Sequence, residues 1–377
     1  MIRKVSFALF DTGETILGAL VFSTFFPLYI TEHVDPKVYS FLYGLSFLAS
    51  FGIALYLGKI ADTKALRKSF FVSFGVAVPL LCWGVGLAYS SPILSLIVFL
   101  ALAVSHQQAF VFYNSMLLGF ESRGLTSGIG VTFGYVGSAL SLIFLAKILS
   151  EPEVYFITGS LFLVLSLPAY ISLRNPHLKK EVKLGDVLKD RRFLLLILSI
   201  LAVTEVANTL IAMMGVYLRE VYSLNREDIY RVIGLSALGG VLGGVLWGYL
   251  SDRLGVGKVF PAGFFLWFTF LAVLPGVPES LLLPAGLLAG VSLSHIWTTS
   301  RVLILSEFPE GEASVRLSFL SLTERVASTT GLILWSLLLA LTGDNYRASA
   351  FLMSFLPLLG FFLFLFYLKA KEKDPAP

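Results

Sequence analysis

Asp11, Glu14, His106, Glu205, His295, Glu324 and Arg325 each stand inside an apolar run long enough to cross a bilayer. A charged group in hydrocarbon costs at least about 2.5–3.5 kcal/mol on insertion scales, so such side chains face a cavity, find a partner or bind something. Asp11 and Glu14 are three residues apart and share a helix face. Carboxylates that close in a low dielectric resist being ionised together, which is the chemistry of proton uptake and release. Glu14 lies about nine residues into its run, near the bilayer midplane at a rise of about 1.5 Å per residue. Sliding the chain by 190 positions brings Glu205 within one position of Glu14, and His295 within one position of His106. Two carboxylates and two imidazoles thus recur at matching depth. Two uses are open to them: they bind a solute or a proton, or they tie helices together through hydrogen bonds. Gln107, Gln108, Tyr113 and Asn208 add hydrogen-bonding capacity suited to a polar solute.

The elements that must position these groups are membrane helices. The 377 residues are 56% hydrophobic and 14% charged, where soluble domains carry about 25% charge. A soluble fold of this size has no way to hide so much apolar surface, because its exterior must be covered with polar groups. Twelve runs can be marked off: Val5 to Ile30, Tyr39 to Gly58, Ser69 to Tyr89, Pro92 to Leu118, Ser127 to Leu149, Val154 to Leu173, Phe193 to Leu218, Ile229 to Leu250, Val259 to Pro275, Leu281 to Ser306, Leu317 to Leu341 and Tyr346 to Leu368. The first is too long for the core of a cleaved signal and lacks a small-residue cleavage site, so it is expected to stay as a membrane helix. The single cysteine, Cys82, lies inside a run and is expected to be a small packing residue.

Lys and Arg crowd the loops on the side of the two termini, including Arg3, Lys4, Lys64, Arg67, Lys68, Arg123, Arg253 and Lys258, while the other side holds few. The positive-inside rule then puts both termini in the cytoplasm, with the cell membrane as the expected location. The net charge of +4 is spread over these clusters and points to no nucleic-acid partner. The one long polar stretch, Arg174 to Arg192, holds seven Lys and Arg at the midpoint of the chain. It divides a bundle at 1–173 from a second at 193–369, with a short tail at 370–377. The 190-position shift supports that cut, aligning Tyr43 to Asp62 with Ile233 to Asp252 so that Gly44, Leu45, Ser46, Leu48, Gly58 and Asp62 meet identical residues. Such repeats mark secondary transporters. The ladders Gly240-x3-Gly244-x3-Gly248 and Gly130-x3-Gly134 are expected to let helices approach closely.

The second copy, Gly248-Tyr-Leu-Ser-Asp252-Arg253-Leu-Gly255-Val-Gly257-Lys258, resembles the loop that the major facilitator superfamily carries between the second and third helices of each half. The resemblance extends over the whole chain through the six-plus-six helices and the basic central loop. It implies an all-α fold of two pseudo-symmetric six-helix bundles around a cavity that opens to either side in turn. The first, fourth, seventh and tenth helices would surround that cavity, bringing Glu14, His106, Glu205 and His295 together. The family uses the loop as a latch, here Asp252 with Arg253 in the second copy. The first copy departs, with Thr63 for the arginine and Ala65 for the second glycine, so its latch would rest on Asp62 with Lys64, Arg67 or Lys68. Glu324 and Arg325 point about 100° apart on one helix, and are assigned to the same gate with Asp252 or Asp62. Arg301 is expected to reach interface headgroups.

More narrowly, Phe10-Asp11-Thr12-Gly13-Glu14-Thr15, Phe112-Tyr113-Asn114-Ser115, Arg123 with Ser127-Gly128, and Arg301 with Pro309-Glu310-Gly311-Glu312-Ala313 are similar to the branch named for a yeast vacuolar amino-acid effluxer linked to autophagy. That branch has Tyr-Asp-Trp-Ala-Asn-Ser in its first helix; here only the aspartate is kept and Glu14 replaces the asparagine.

No phosphate-binding loop, zinc-binding His pair or nucleophile elbow is present in the sequence. Enzymatic chemistry and a cofactor are therefore not expected, and energy would come from a gradient. The expected function is alternating-access transport of a small polar solute such as an amino acid, proton-coupled, by a monomer surrounded by lipid. Export of divalent metal or lipophilic cations is the alternative carrier, since Asp, Glu and His ligate metals. Lipid scrambling or membrane sensing without transport is the alternative of another class.

Overall fold

Backbone polar groups in lipid must be satisfied within the segment itself, which leaves apolar runs of this length little choice but helix. A computed structural model describes residues 1–373, the side chains of Arg226 and Tyr230 excepted, and contains twelve such helices among them. They are α1 (Ile2–Thr31), α2 (Pro36–Lys64), α3 (Arg67–Leu87), α4 (Pro92–Gly119), α5 (Arg123–Ile148), α6 (Glu153–Ser172), α7 (Arg191–Tyr222), α8 (Glu227–Leu254), α9 (Val256–Gly276), α10 (Glu279–Glu307), α11 (Glu310–Thr342) and α12 (Tyr346–Lys373). Each contains one of the twelve expected runs or nearly all of it. Of the expected tail 370–377, residues 374–377 lie outside the described residues, and α12 continues through the first part.

Helix starts are written in the sequence. The Asp35 side chain accepts from the Lys37 amide at 2.7 Å at the start of α2, and Asp190, Asn225 and Asn345 do the same for α7, α8 and α12. Pro36 and Pro92 occupy first turns, where a missing N–H is harmless. Two stretches wind more loosely than an α-helix: Gly18–Phe25 in α1 and Ser141–Leu145 in α5 are π-helical and touch each other.

The chain divides into two compact units. Unit 1 holds residues 1–182 together with Pro309–Ser318, and unit 2 holds Lys183–Phe308 and the chain from Phe319 on. In unit 1, α1 packs on α5 and α6, α3 on α4 and α6, and α2 on α4. In unit 2, α7 packs on α12, α9 on α10 and α12, and α8 on α10. Each of these unit 2 pairs is the repeat partner of a unit 1 pair, so the repeat in the sequence is a repeat of packing.

Glycines set the closest approaches. A methyl group added at Gly130 would sit 2.2 Å from Asp11 Oδ2, and one at Gly137 would sit 2.6 Å from Thr12, so α1 lies directly on the backbone of α5. In unit 2 the tight seam between α8 and α10 runs through Gly239 and Gly243, where added methyls would lie 2.2 Å from the Leu287 carbonyl and 2.1 Å from Ser294 Oγ. From the other side, a methyl at Gly290 on α10 would lie 2.1 Å from the Ser236 carbonyl and 2.8 Å from the Gly240 amide, so the expected ladder's first glycine is also at this seam. Cys82 is fully buried with its thiol on the Tyr155 carbonyl, a packing residue as expected.

Candidate functional site

The carboxylate of Glu14 on α1 and the imidazole of His106 on α4 meet within unit 1. Glu14 Oε1 lies 3.2 Å from His106 Nε2, with side chains 18% and 8% exposed. The separation suits an ion pair, although the angle is off the line of a straight hydrogen bond. The Phe22 ring, from the π-helical stretch one turn beyond Glu14, covers the imidazole at 4.9 Å between centroids. The contact sets a hydrogen-bond acceptor against a ring nitrogen that can donate or accept.

The neighbours of this pair divide between site and scaffold. Asp11 is 5% exposed and turned toward Gly130 on α5, while Glu14, on the same face of α1, reaches α4. Tyr113 is fully buried, stacked on Phe7 and Phe10 at 4.1 and 4.3 Å, and its hydroxyl donates to the Phe7 carbonyl at 2.9 Å. That hydroxyl has its acceptor inside the bundle, so Tyr113 works as a strut between α1 and α4. Gln108 is likewise committed, its amide donating to the Ser50 carbonyl and hydroxyl at 2.8 Å each, whereas Gln107 is 5% exposed on the adjoining face.

In unit 2, Glu205 on α7 is half-buried and accepts from the Thr330 hydroxyl on α11. Asn208, one turn on, donates to the Glu324 carbonyl at 2.9 Å and to the Ser328 hydroxyl at 3.1 Å. Carboxylate, amide and hydroxyls thus form a second polar cluster along α7 and α11. His295 differs from its repeat partner His106. It is 1% exposed, with Nε2 3.2 Å from the Val259 carbonyl and its ring between Trp247 and Phe260 at 4.8 and 5.9 Å. Among the described residues its contacts are these rings and that carbonyl, which place it in the packing of α8, α9 and α10. Arg301 is buried at 4% exposure, which corrects the expectation that it reaches lipid headgroups. Glu324 and Arg325 are half-buried on α11. A pocket in unit 2 lined by Met213, Met214, Tyr217, Trp335 and Met353 is almost wholly apolar and brings no charged group together.

The turn after α2 carries the densest ionic network. Asp62 and Arg67 are both fully buried, with Arg67 Nη2 2.8 Å from Asp62 Oδ1. The carboxylate also accepts from the Ser314 and Val315 amides at 3.1 Å each, in the first turn of α11, where a negative charge meets the positive end of the helix. A methyl at Gly58 would be 3.2 Å from that same backbone, which explains the glycine. Arg67 donates further to the Pro176 and Leu178 carbonyls at 3.1 and 2.8 Å, so the central linker is tied into the network. Lys180 reaches Glu312 at 2.6 Å, and Arg123 pairs with Glu310. Of the three cations considered for Asp62, Arg67 supplies the pair; Lys68 contributes its backbone amide, which donates to Asn175. In the second copy, Arg253 lies over the Tyr249 ring at 5.9 Å and donates to its hydroxyl at 2.8 Å, and Asp252 is engaged within its surroundings.

Among the described residues, no three His, Cys, Asp or Glu side chains converge as a metal centre would require. Sequence reasoning passed over Thr330, Phe22 and the linker segment from Asn175 to Lys180. The first two are ordinary residues of apolar helices, and only the fold brings them to Glu205 and His106.

The family model of the Major Facilitator Superfamily matches residues 207–377. An uncharacterized protein of Aquifex aeolicus (strain VF5) is 59% identical over 364 residues, 97% of this chain and 96% of its own. The fold is similar to the crystal structure of a bacterial homologue of the iron transporter ferroportin in an outward-facing state, with a TM-score of 0.76 at 20% identity over 98% of each chain. It is similar also to the E. coli fucose:proton symporter, with a TM-score of 0.77 at 13% identity over 97% of each chain. The second half of the chain thus matches the major facilitator superfamily model, and the whole chain, with its twelve membrane helices and repeated packing, shares the fold of these solved transporters.

Proposed function

We propose that this protein is a secondary transporter that moves a small polar solute by alternating access and couples the movement to protons at Glu14 and His106. The observation that carries the reading is the 3.2 Å contact between that carboxylate and that imidazole, both only partly exposed in the middle of membrane helices. A proton and a positively charged or amphoteric solute would compete for Glu14, so that binding one favours release of the other. Flux then follows whichever gradient favours the exchange, provided that solute affinity differs between the conformations. Glu205 with Thr330 and Asn208 forms the solute-facing polar cluster of the second unit, and Asp11 and Gln107 support the first.

Asp62, Arg67 and the first turn of α11 act as a latch that steadies one conformation, with Lys68, Asp252, Arg253, Glu324 and Arg325 in the same gating class. Both termini would be cytoplasmic, in the cell membrane. Amino acids and related metabolites are the first solutes to test.

Purified protein in liposomes, loaded with a solute chosen by thermal stabilisation, tests the proposal. Uptake should rise when a pH gradient is imposed. Uptake indifferent to the gradient, in wild type and in Glu14→Gln alike, would reject proton coupling.

A further inference from the structure

We propose that the solute bound at Glu14 and His106 is an organic cation carrying its charge next to an apolar body, an inference that rests on the transport reading above. The aromatic residues beside the pair carry it. Phe22 touches the His106 ring at 4.9 Å and the Phe99 ring at 5.4 Å. Tyr43 on α2 meets the same Phe99 at 5.3 Å and continues to Phe47 at 4.6 Å. Phe99 is fully buried and forms a floor, whereas Phe22, Tyr43 and Phe47 are each half-buried. Three helices therefore contribute to one wall of rings that starts at the carboxylate and imidazole.

The wall faces the interior of unit 1. Tyr43 and Phe47 lie on the stripe of α2 that also holds Ser50, which accepts from Gln108 on α4. The opposite stripe of α2 carries the outward apolar residues, Phe41 at 70%, Leu45 at 50% and Leu48 at 62% exposure. Aromatic residues placed only to meet lipid would belong with those three.

Charge selects among solutes that would fit beside such a wall. Ring faces carry the negative part of the aromatic quadrupole, and Glu14 supplies a carboxylate at one end. An anion meets both unfavourably. A neutral solute gains contact area but nothing from either charge. A cation gains from the carboxylate and from the ring faces together, and the second contribution alone is worth roughly tenfold in affinity at a partly desolvated site. A quaternary or protonated amine attached to an apolar group satisfies the whole surface.

The test uses the full chain in lipid nanodiscs and three probes of similar shape: benzyltrimethylammonium, its neutral carbon isostere neopentylbenzene, and the anion phenylacetate. Binding is measured against protein-free discs. The cation should bind at least about tenfold more tightly than either companion. Phe22→Leu should reduce that preference severalfold while Phe22→Trp keeps it, since leucine preserves bulk and only tryptophan preserves the ring face. The melting temperature of each variant, read in parallel, identifies any that fail to fold, and the preference of the wild type stands as evidence without them. Equal or tighter binding of the neutral or anionic probe by wild type overturns the inference, as does an unchanged preference in a folded Phe22→Leu. Proton-driven uptake that persists alongside equal binding of the three probes would reject the cation and leave the transport reading intact; a cation preference with pH-independent uptake would do the reverse.

Discussion

Ala65 and Gly255, 190 positions apart and equivalent under the repeat, both take a left-handed backbone, with φ of 55° and 88°. The turn after α2 and the turn after α8 share a positive φ but differ in ψ, 46° at Ala65 and 130° at Gly255, and only the second copy has the residue that adopts a positive φ without strain. Ala65 carries a Cβ in a region that costs an L-residue roughly 1–2 kcal/mol, partly offset because alanine loses less freedom than glycine on folding. Ala65→Gly should therefore raise stability by about 0.5–1 kcal/mol, and Gly255→Ala should lower it by about 1 kcal/mol or more. Thermal melts of the two variants in one detergent check the opposite signs.

Asp62 and Arg67 should be costly to separate. Both side chains are fully buried, and Asp62 also holds the first turn of α11. Arg67→Ala leaves a buried carboxylate without its cation, which costs roughly 3–5 kcal/mol when one member of a buried pair is removed. Its melting temperature should fall by several degrees, more than for Lys180→Ala, whose partner-facing side chain is 46% exposed. Similar small losses in both variants would mean that the network at the α2 turn is not the anchor for α11.

Tyr113 separates scaffold from site. Tyr113→Phe keeps the ring stack on Phe7 and Phe10 but leaves the Phe7 carbonyl without the hydroxyl, a loss of about 1–3 kcal/mol for a buried acceptor. Stability should drop while solute affinity of the folded fraction stays at the wild-type value. A selective fall in affinity with an unchanged melt would return Tyr113 to the binding site.

The twelve helices were legible because lipid imposes one rule on every span, and a close approach along α5 was legible because Gly130 and Gly134 repeat at helical spacing, though not that α1 makes it. Repeat-related positions could be matched in the sequence, but neighbours could not. His106 and His295 match in the repeat, yet one meets Glu14 and the other the Val259 carbonyl beneath Trp247, since symmetry of position does not copy the side chains around it. Lys64, Arg67 and Lys68 were equal candidates for Asp62 by spacing, and the left-handed turn at Ala65 brings Arg67 back onto it. The π-helical stretches at Gly18–Phe25 and Ser141–Leu145 have no propensity signal, because they arise where two helices accommodate each other. The grouping of Pro309–Ser318 with the first half of the chain depends on contacts far apart in sequence, which no local pattern encodes.

Proton coupling at Glu14 is the central claim, and Glu14→Gln divides it from a merely structural role. In liposomes, wild type should accumulate solute against its gradient when a pH gradient is imposed, and should also exchange solute across the membrane without one. The variant should keep the exchange at a rate that no longer responds to pH, and should lose accumulation. Accumulation by Glu14→Gln equal to that of wild type under the same pH gradient would contradict the account.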